Sequence, residues 1–176
     1  MTDPIPRRMT ADVDVDDDFV VFRIGIRLNK LWKVHQWLPV FLAMPRMLRE
    51  LDADPDSGLL GHRTSFGLRN VTLTQFWRSF DDLHAYAHDA DREHLPAWRR
   101  FVDEVGEAGD VGIWHETYRV RASDHESVYV NMPPFGLGDA VGLVPATGDR
   151  ETAMDRFGGT AGKGATADEG EPTPDR

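Results

Sequence analysis

Residues 79–118 read SFDDLHAYAHDADREHLPAWRRFVDEVGEAGDVGIWHETY, and the reading of this stretch decides the fold. Ser79 is a candidate N-cap, with Asp81 and Asp82 placed in the first turn where carboxylates complement the helix dipole. Leu83, Tyr86 and Ala87 form the apolar side of that helix, and Asp89-Ala90-Asp91 breaks it. A second helix is expected over 93–105, with Leu95, Trp98, Phe101 and Val102 buried and Pro96 in its first turn. Gly106 and Gly109 close it, and VGIWHETYRVRA (111–122) reads as a strand. The stretch also concentrates chemistry, holding four of the seven histidines and two of the five tryptophans.

Upstream, FVVFRIGIRL (19–28) alternates with period two and is apolar on both faces near its start, which predicts a central strand. Asn29 is a candidate N-cap for a helix beginning at Lys30 or Leu31. Val34, Leu38, Phe41, Leu48 and Leu51 recur at helical spacing, flanked by Trp32, His35 and Leu42. Pro39 and Pro45 fall inside that pattern and predict a kinked or broken helix. LLGHRTSFGL (59–68) and NVTLTQFWRS (70–79) read as a hairpin turning at 67–69. The resulting order, β-α-β-β-α-β, is an α+β ferredoxin-like arrangement: an antiparallel sheet with helices on one face. The other face is expected to carry Phe19, Val21, Val71, Leu73 and Trp77 or their register partners. An apolar second face has to be covered, and a two-fold homodimer joining two sheets covers it economically.

The ends differ from this domain, taken as 18–122. Residues 1–17 are polar and end in an acidic run, so a mobile arm is expected; residues 147–176, rich in Gly, Thr, Asp and Glu, are expected as a disordered tail. Residues 123–146 are an ordered extension that packs across a pocket mouth or onto a partner subunit.

Composition narrows the function classes. The chain has no cysteine, which removes disulfides, thiolate metal sites and thiol catalysis. Apolar runs of membrane-spanning length and a signal-peptide core are both absent from the sequence, which predicts a soluble cytoplasmic protein. The net charge of −10 and the lack of a basic stripe in the sequence weigh against nucleic-acid and membrane-surface partners. Its Asp-rich, Lys-poor balance suits a salt-rich cytosol, and a GC-rich genome explains the excess of Arg over Lys equally well. Neither a dinucleotide or phosphate loop nor a nucleophile elbow occurs.

The strings WRSFDDLHAYAHDADREHLPAWRRF, GDVGIWHETYRV and YVNMPPFGLG, within about 18–140, resemble a family grouped with a monooxygenase of fumagillin biosynthesis. More distantly they resemble the antibiotic-biosynthesis-monooxygenase class of dimeric α+β barrels. The resemblance implies that fold, a homodimer, and oxygenation of a small organic molecule with O₂, often without metal or prosthetic group. Some members of the class bind haem through a histidine on the second helical segment, which here is His94.

Beside the resemblance stand the residues themselves. His94 is either a ligand or acid/base group, or a histidine bonded to the backbone near a helix start. His84 and His88 share a helix side and suit a divalent metal, but lack an evident third ligand, so a solvated face is preferred. Strand alternation separates Trp114, Glu116 and Tyr118 from Ile113, His115 and Thr117. Whichever set faces the helices meets the ligand space, so Glu116 and His115 compete as general base; alternatively Glu116 pairs with Arg23 or Arg27. Trp32, Trp37, Trp77 and Trp98 are expected mainly in the core, with Trp98 and Trp114 as pocket walls, Phe135 as a lid, and His35 and Arg23 as further binding residues. Three functions follow: a cofactor-free oxygenase of a small hydrophobic molecule, a haem enzyme or carrier ligated by His94, and a non-catalytic binding or stress protein.

Overall fold

The computed structural model describes residues 3–14, 18–89 and 108–157. Its core is a four-stranded antiparallel sheet whose strands derive from both sides of a long helix. Strand β1, Ile5–Ala11, belongs elsewhere; β2, Phe19–Leu28, is one of the two inner strands. Helix α1, Val34–Asp52, leads to the hairpin β3, Leu59–Phe66, and β4, Asn70–Trp77. Helix α2, Phe80–His88, opens the crossover to β5, Val111–Val120. The sheet order β3-β4-β2-β5 is that of the ferredoxin-like fold. The expected second helix at 93–105 lies outside the described residues.

Register assigns the faces. Ile26 pairs with Val71 and Ile113, and Ile24 with Leu73 and His115. Ile26, Val71 and Leu73 are buried against Met44 and Leu48 of α1, with Ile24, Trp37, Phe41 and Ile113 packed around them. A second cluster joins Val20, Leu51, the fully buried Trp77, Leu83 and Tyr86, with Phe22 against it. Val71, Leu73 and Trp77 therefore lie on the helix side, not on the open face. The open face carries Phe19, Val21, Phe76, Trp114 and Tyr118, because the residue opposite Val21 in the pairing is Phe76 rather than Trp77.

Helix α1 starts later than its sequence pattern implies. Asn29 does not cap it: its side-chain amide donates to Gly109 O, and the Asn29 and Lys30 backbone N–H groups donate to Asp110 O. The helix begins at Val34 after Lys33, without a side-chain cap, and runs unbroken through Pro39 and Pro45. Packing of the Met44–Leu48–Leu51 stripe offsets the hydrogen bonds that the two prolines remove. The Ser79 cap forms as expected, its hydroxyl accepting from Asp82 N–H at 3.0 Å. Trp32, expected in the core, is 74% exposed, since it precedes the helix and lies outside the buried stripe.

The ends build a second, three-stranded sheet. Strand β1 lies between β6, Tyr129–Met132, and β7, Leu143–Pro145, both antiparallel to it. Residues 5–11, expected within a mobile arm, thus form a central strand with Met9, Thr10 and Ala11 buried. Their partners lie more than a hundred residues away, so no local pattern announces them. A short helix, Leu137–Ala140, sits on the open face of β3, where a Cβ on Gly61 would meet Ala140 Cβ at 2.7 Å. Part of the expected tail is also structured: Ala153–Arg156 is a helical turn, and the Arg156 side chain, 8% exposed, pairs with Glu126.

Candidate functional site

The helix side of the sheet is an apolar floor interrupted by polar groups. One row across the strands reads His62, Gln75, Phe22, Thr117; the next reads Thr64, Leu73, Ile24, His115. His115 is solvent-accessible, with its ring 5.8 Å from that of Phe22 and with half-buried Ile24 opposite it. His62 Nε2 lies 3.3 Å from Asp52 at the end of α1. Gln75 is buried, and its side-chain oxygen accepts from Trp77 Nε1 at 3.0 Å. Gln75 escaped the sequence reading, whereas Thr117 stood there in the same alternating set as His115 without a role. The available signal was phase, because Gln75 occupies the inward register of Val71, Leu73 and Trp77.

Glu116 points the other way. Its carboxylate accepts from Arg23 Nη1 at 3.1 Å, and both side chains are over two-fifths exposed. The Arg23 guanidinium also stands 5.4 Å from the Trp114 ring centre, and that indole lies flat on Gly25, which has no Cβ to obstruct it. Hydrogen bonding to Glu116 holds the Tyr118 hydroxyl above the usual tyrosine range. At the far end of the same row, Arg63 stands 4.0 Å over the Phe135 ring. Arg23, Trp114, Glu116 and Phe135 therefore share the open face, where arginines answer the carboxylate and the rings. Of the two readings of Glu116, the ion pair with Arg23 forms and the apolar pocket does not, because alternation along β5 turns Glu116 away from the helices.

The remaining predicted residues are dispersed. His35 is exposed in the first turn of α1. His94 and Trp98 lie outside the described residues. His84 and His88 stack at 4.1 Å between ring centres, with His88 Nδ1 donating to His84 O. Among the described residues no cluster of three or more His, Asp or Glu side chains could hold a metal ion. A separate cavity of about 380 Å³ with mixed polar and apolar walls lies between the second sheet and the C-terminal turn, lined by Thr10, His125, Ser127 and Arg150 among others; none of the predicted residues reaches it.

A family model described as Monooxygenase af470-like matches residues 19–137. Monooxygenase af470 of Aspergillus fumigatus (strain Af293) is 31% identical over 159 residues, covering 78% of this chain and 55% of the fungal protein. The chain thus spans little more than half the length of that relative. Among solved structures, an aldoxime dehydratase superposes with a TM-score of 0.59 at 16% identity, covering 82% of this chain and 47% of that one. The aldoxime dehydratase OxdRE, in complex with butyraldoxime, gives a TM-score of 0.57 at 16% identity, over 76% and 43% of the two chains. At such identity these two likenesses show the fold alone.

Proposed function

The chain belongs to the Monooxygenase af470-like family, and from that premise we propose that it is a monooxygenase-like enzyme acting on a small hydrophobic molecule bound on the helix side of the sheet. One observation carries the choice of residues: register puts His115 on that side beside Phe22 and Ile24, and turns Glu116 to the other, where Arg23 neutralises it. An imidazole at the edge of an apolar floor suits removal of a proton from an activated C–H or O–H group. The substrate carbanion then supplies the electrons: a CH₂ group and O₂ become C=O and water, with no external reductant. Phe22 and Ile24 hold the apolar body of the substrate, and Gln75 and Thr117 lie one row away to orient a polar group.

The test is oxygen uptake by the purified protein with activated aromatic or polyketide-like substrates. His115→Ala is expected to lower turnover about 10²- to 10⁴-fold, the usual worth of a positioned base. Glu116→Gln is expected to leave turnover within a few-fold. Equal loss in both variants, or none in His115→Ala, overturns the assignment. Hemin titration of wild type and His94→Ala belongs beside it: a saturable absorbance shift lost in the variant replaces the cofactor-free route by the haem alternative.

We further propose that the open face is covered by a second copy of the chain. Its partly exposed Trp114, Tyr118 and Arg23–Glu116 pair form a mixed aromatic and charged surface that a two-fold axis makes self-complementary.

A further inference from the structure

The cations of this acidic chain form no stripe in the sequence, but the fold collects several at one end of the four-stranded sheet. The turn of the β3–β4 hairpin closes against the end of β2, with Leu28 N–H donating to Arg69 O and Arg69 Nη1 to Asn29 O. The start of β5 is tied to the same place, because Asp110 receives Lys30 and Lys33. Arg27, Lys30, Lys33 and Arg69 therefore meet at this end. Among the described residues there, Asp110 is their single carboxylate, and it is fully buried. The partners of the two arginines are neutral: Asn70 Oδ1 for Arg27 and a backbone carbonyl for Arg69. Among its described residues, a chain of net charge −10 thus presents a cationic end.

The same end exposes large apolar side chains. Leu68 is 92% exposed, Trp32 74% and Phe66 71%. Leu38 and Leu42 continue the exposed surface along α1, one helical turn apart, and Phe66 packs beside Phe41 of that helix. Scattered exposed leucines are ordinary, but an exposed Trp, Phe and Leu gathered with four cations at one end of a sheet are not. Tryptophan and leucine insert at the headgroup level of a bilayer, while lysine and arginine meet its anionic phosphates. We propose that this end is a peripheral docking surface for an anionic lipid bilayer, with Leu68 and Trp32 inserting and Arg27, Lys30, Lys33 and Arg69 facing the headgroups. Charge complementarity selects this occupant: an acidic protein surface would satisfy the cations but leave the apolar tips in water. The docking surface stands apart from the monooxygenase reading and needs no membrane-spanning segment.

The experiment is flotation of the full chain with vesicles of phosphatidylcholine alone and of equimolar phosphatidylcholine and phosphatidylglycerol. The chain is expected to float with the anionic vesicles and to be released as salt rises. Leu68→Asp and Trp32→Ala are each expected to lower the partition coefficient about tenfold or more, the loss when one large apolar side chain stays in water. Circular dichroism checks that both variants keep the wild-type fold, and the turn position of Leu68 makes that variant the safer one. Failure to float with either vesicle overturns the proposal. So does flotation unchanged by both substitutions, which would be charge attraction without insertion. A doubled mass in solution that Leu68→Asp abolishes would also overturn it, by giving the patch to a second copy of the chain.

Discussion

Asp110 shows how one side chain fixes the relation between distant segments. It is fully buried, holds Lys30 and Lys33, and through its backbone carbonyl receives Asn29 and Lys30 N–H. Hydrogen bonding to Lys30, then to Lys33, keeps its carboxyl below the usual carboxylate range; Arg78 and Ser79 do the same for Asp82. A folded-state pKa below the unfolded one gives stability that is complete above the ordinary carboxylate value and lost as pH falls through the lower folded value. Melting temperature is therefore expected to drop below about pH 4. Asp110→Asn is expected to melt lower than wild type at neutral pH and to show a shallower acid limb; parallel limbs would remove Asp110 from this role. None of this was legible in the sequence, where Asp110 is one of many acids and Asn29 looks like a helix cap. The Glu116 choice was legible as a pair of alternatives: alternation separated it from His115, and only the packing of Ile113 against α1 said which way each faces.

At the scale of elements, local pattern carried most of the four-stranded sheet. Strands 19–28, 59–66 and 70–77 and the Ser79 cap follow from alternation and turn chemistry within a dozen residues. The second sheet was not readable in the same way. The central strand β1 pairs with residues 129–132 and 143–145, so its order comes from partners at the far end of the chain. The device that brings the far end there is close packing of the extension on β3. Gly61 lies under Ala140, and Gly138 under Leu143 and Tyr129, whose hydroxyl accepts from Gly138 N–H at 3.0 Å. Gly61→Ala has to lift the turn at 137–140, because the contact includes the Ala140 backbone at 3.0 Å. A loss of about 1–3 kcal/mol is expected, typical of overpacking. Urea unfolding measures it, and limited proteolysis should show earlier cleavage in the extension. An unchanged midpoint would mean that the extension yields freely and does not clamp the sheet.

At the scale of the whole molecule, two exposed surfaces differ in charge balance, and the proposals for them therefore differ in partner. The open face of the sheet offers Tyr118, Trp114 and the Arg23–Glu116 pair, where each charge already has its opposite. The cationic end offers Trp32 and Leu68 among cations that outnumber, in the described residues, their one carboxylate, Asp110. A balanced face suits a second copy of itself, since two-fold symmetry brings each charge near its complement; an unbalanced one is repelled by its own copy. The sequence left open whether Val71, Leu73 and Trp77 or their register partners face outward, because alternation alone does not name the buried side; the packing against α1 turns these three inward. Light scattering is expected to give a dimer for the wild type. Tyr118→Asp, which adds a charge to the β5 side of the face without touching either core cluster, is expected to shift that mass to the monomer while preserving the melting transition of the chain. Leu68→Asp is expected to leave the dimer intact, because its patch lies at the end of the sheet and not on the open face. If instead Tyr118→Asp remains a dimer, the open face is not the interface, and its aromatic and arginine groups become available to a ligand.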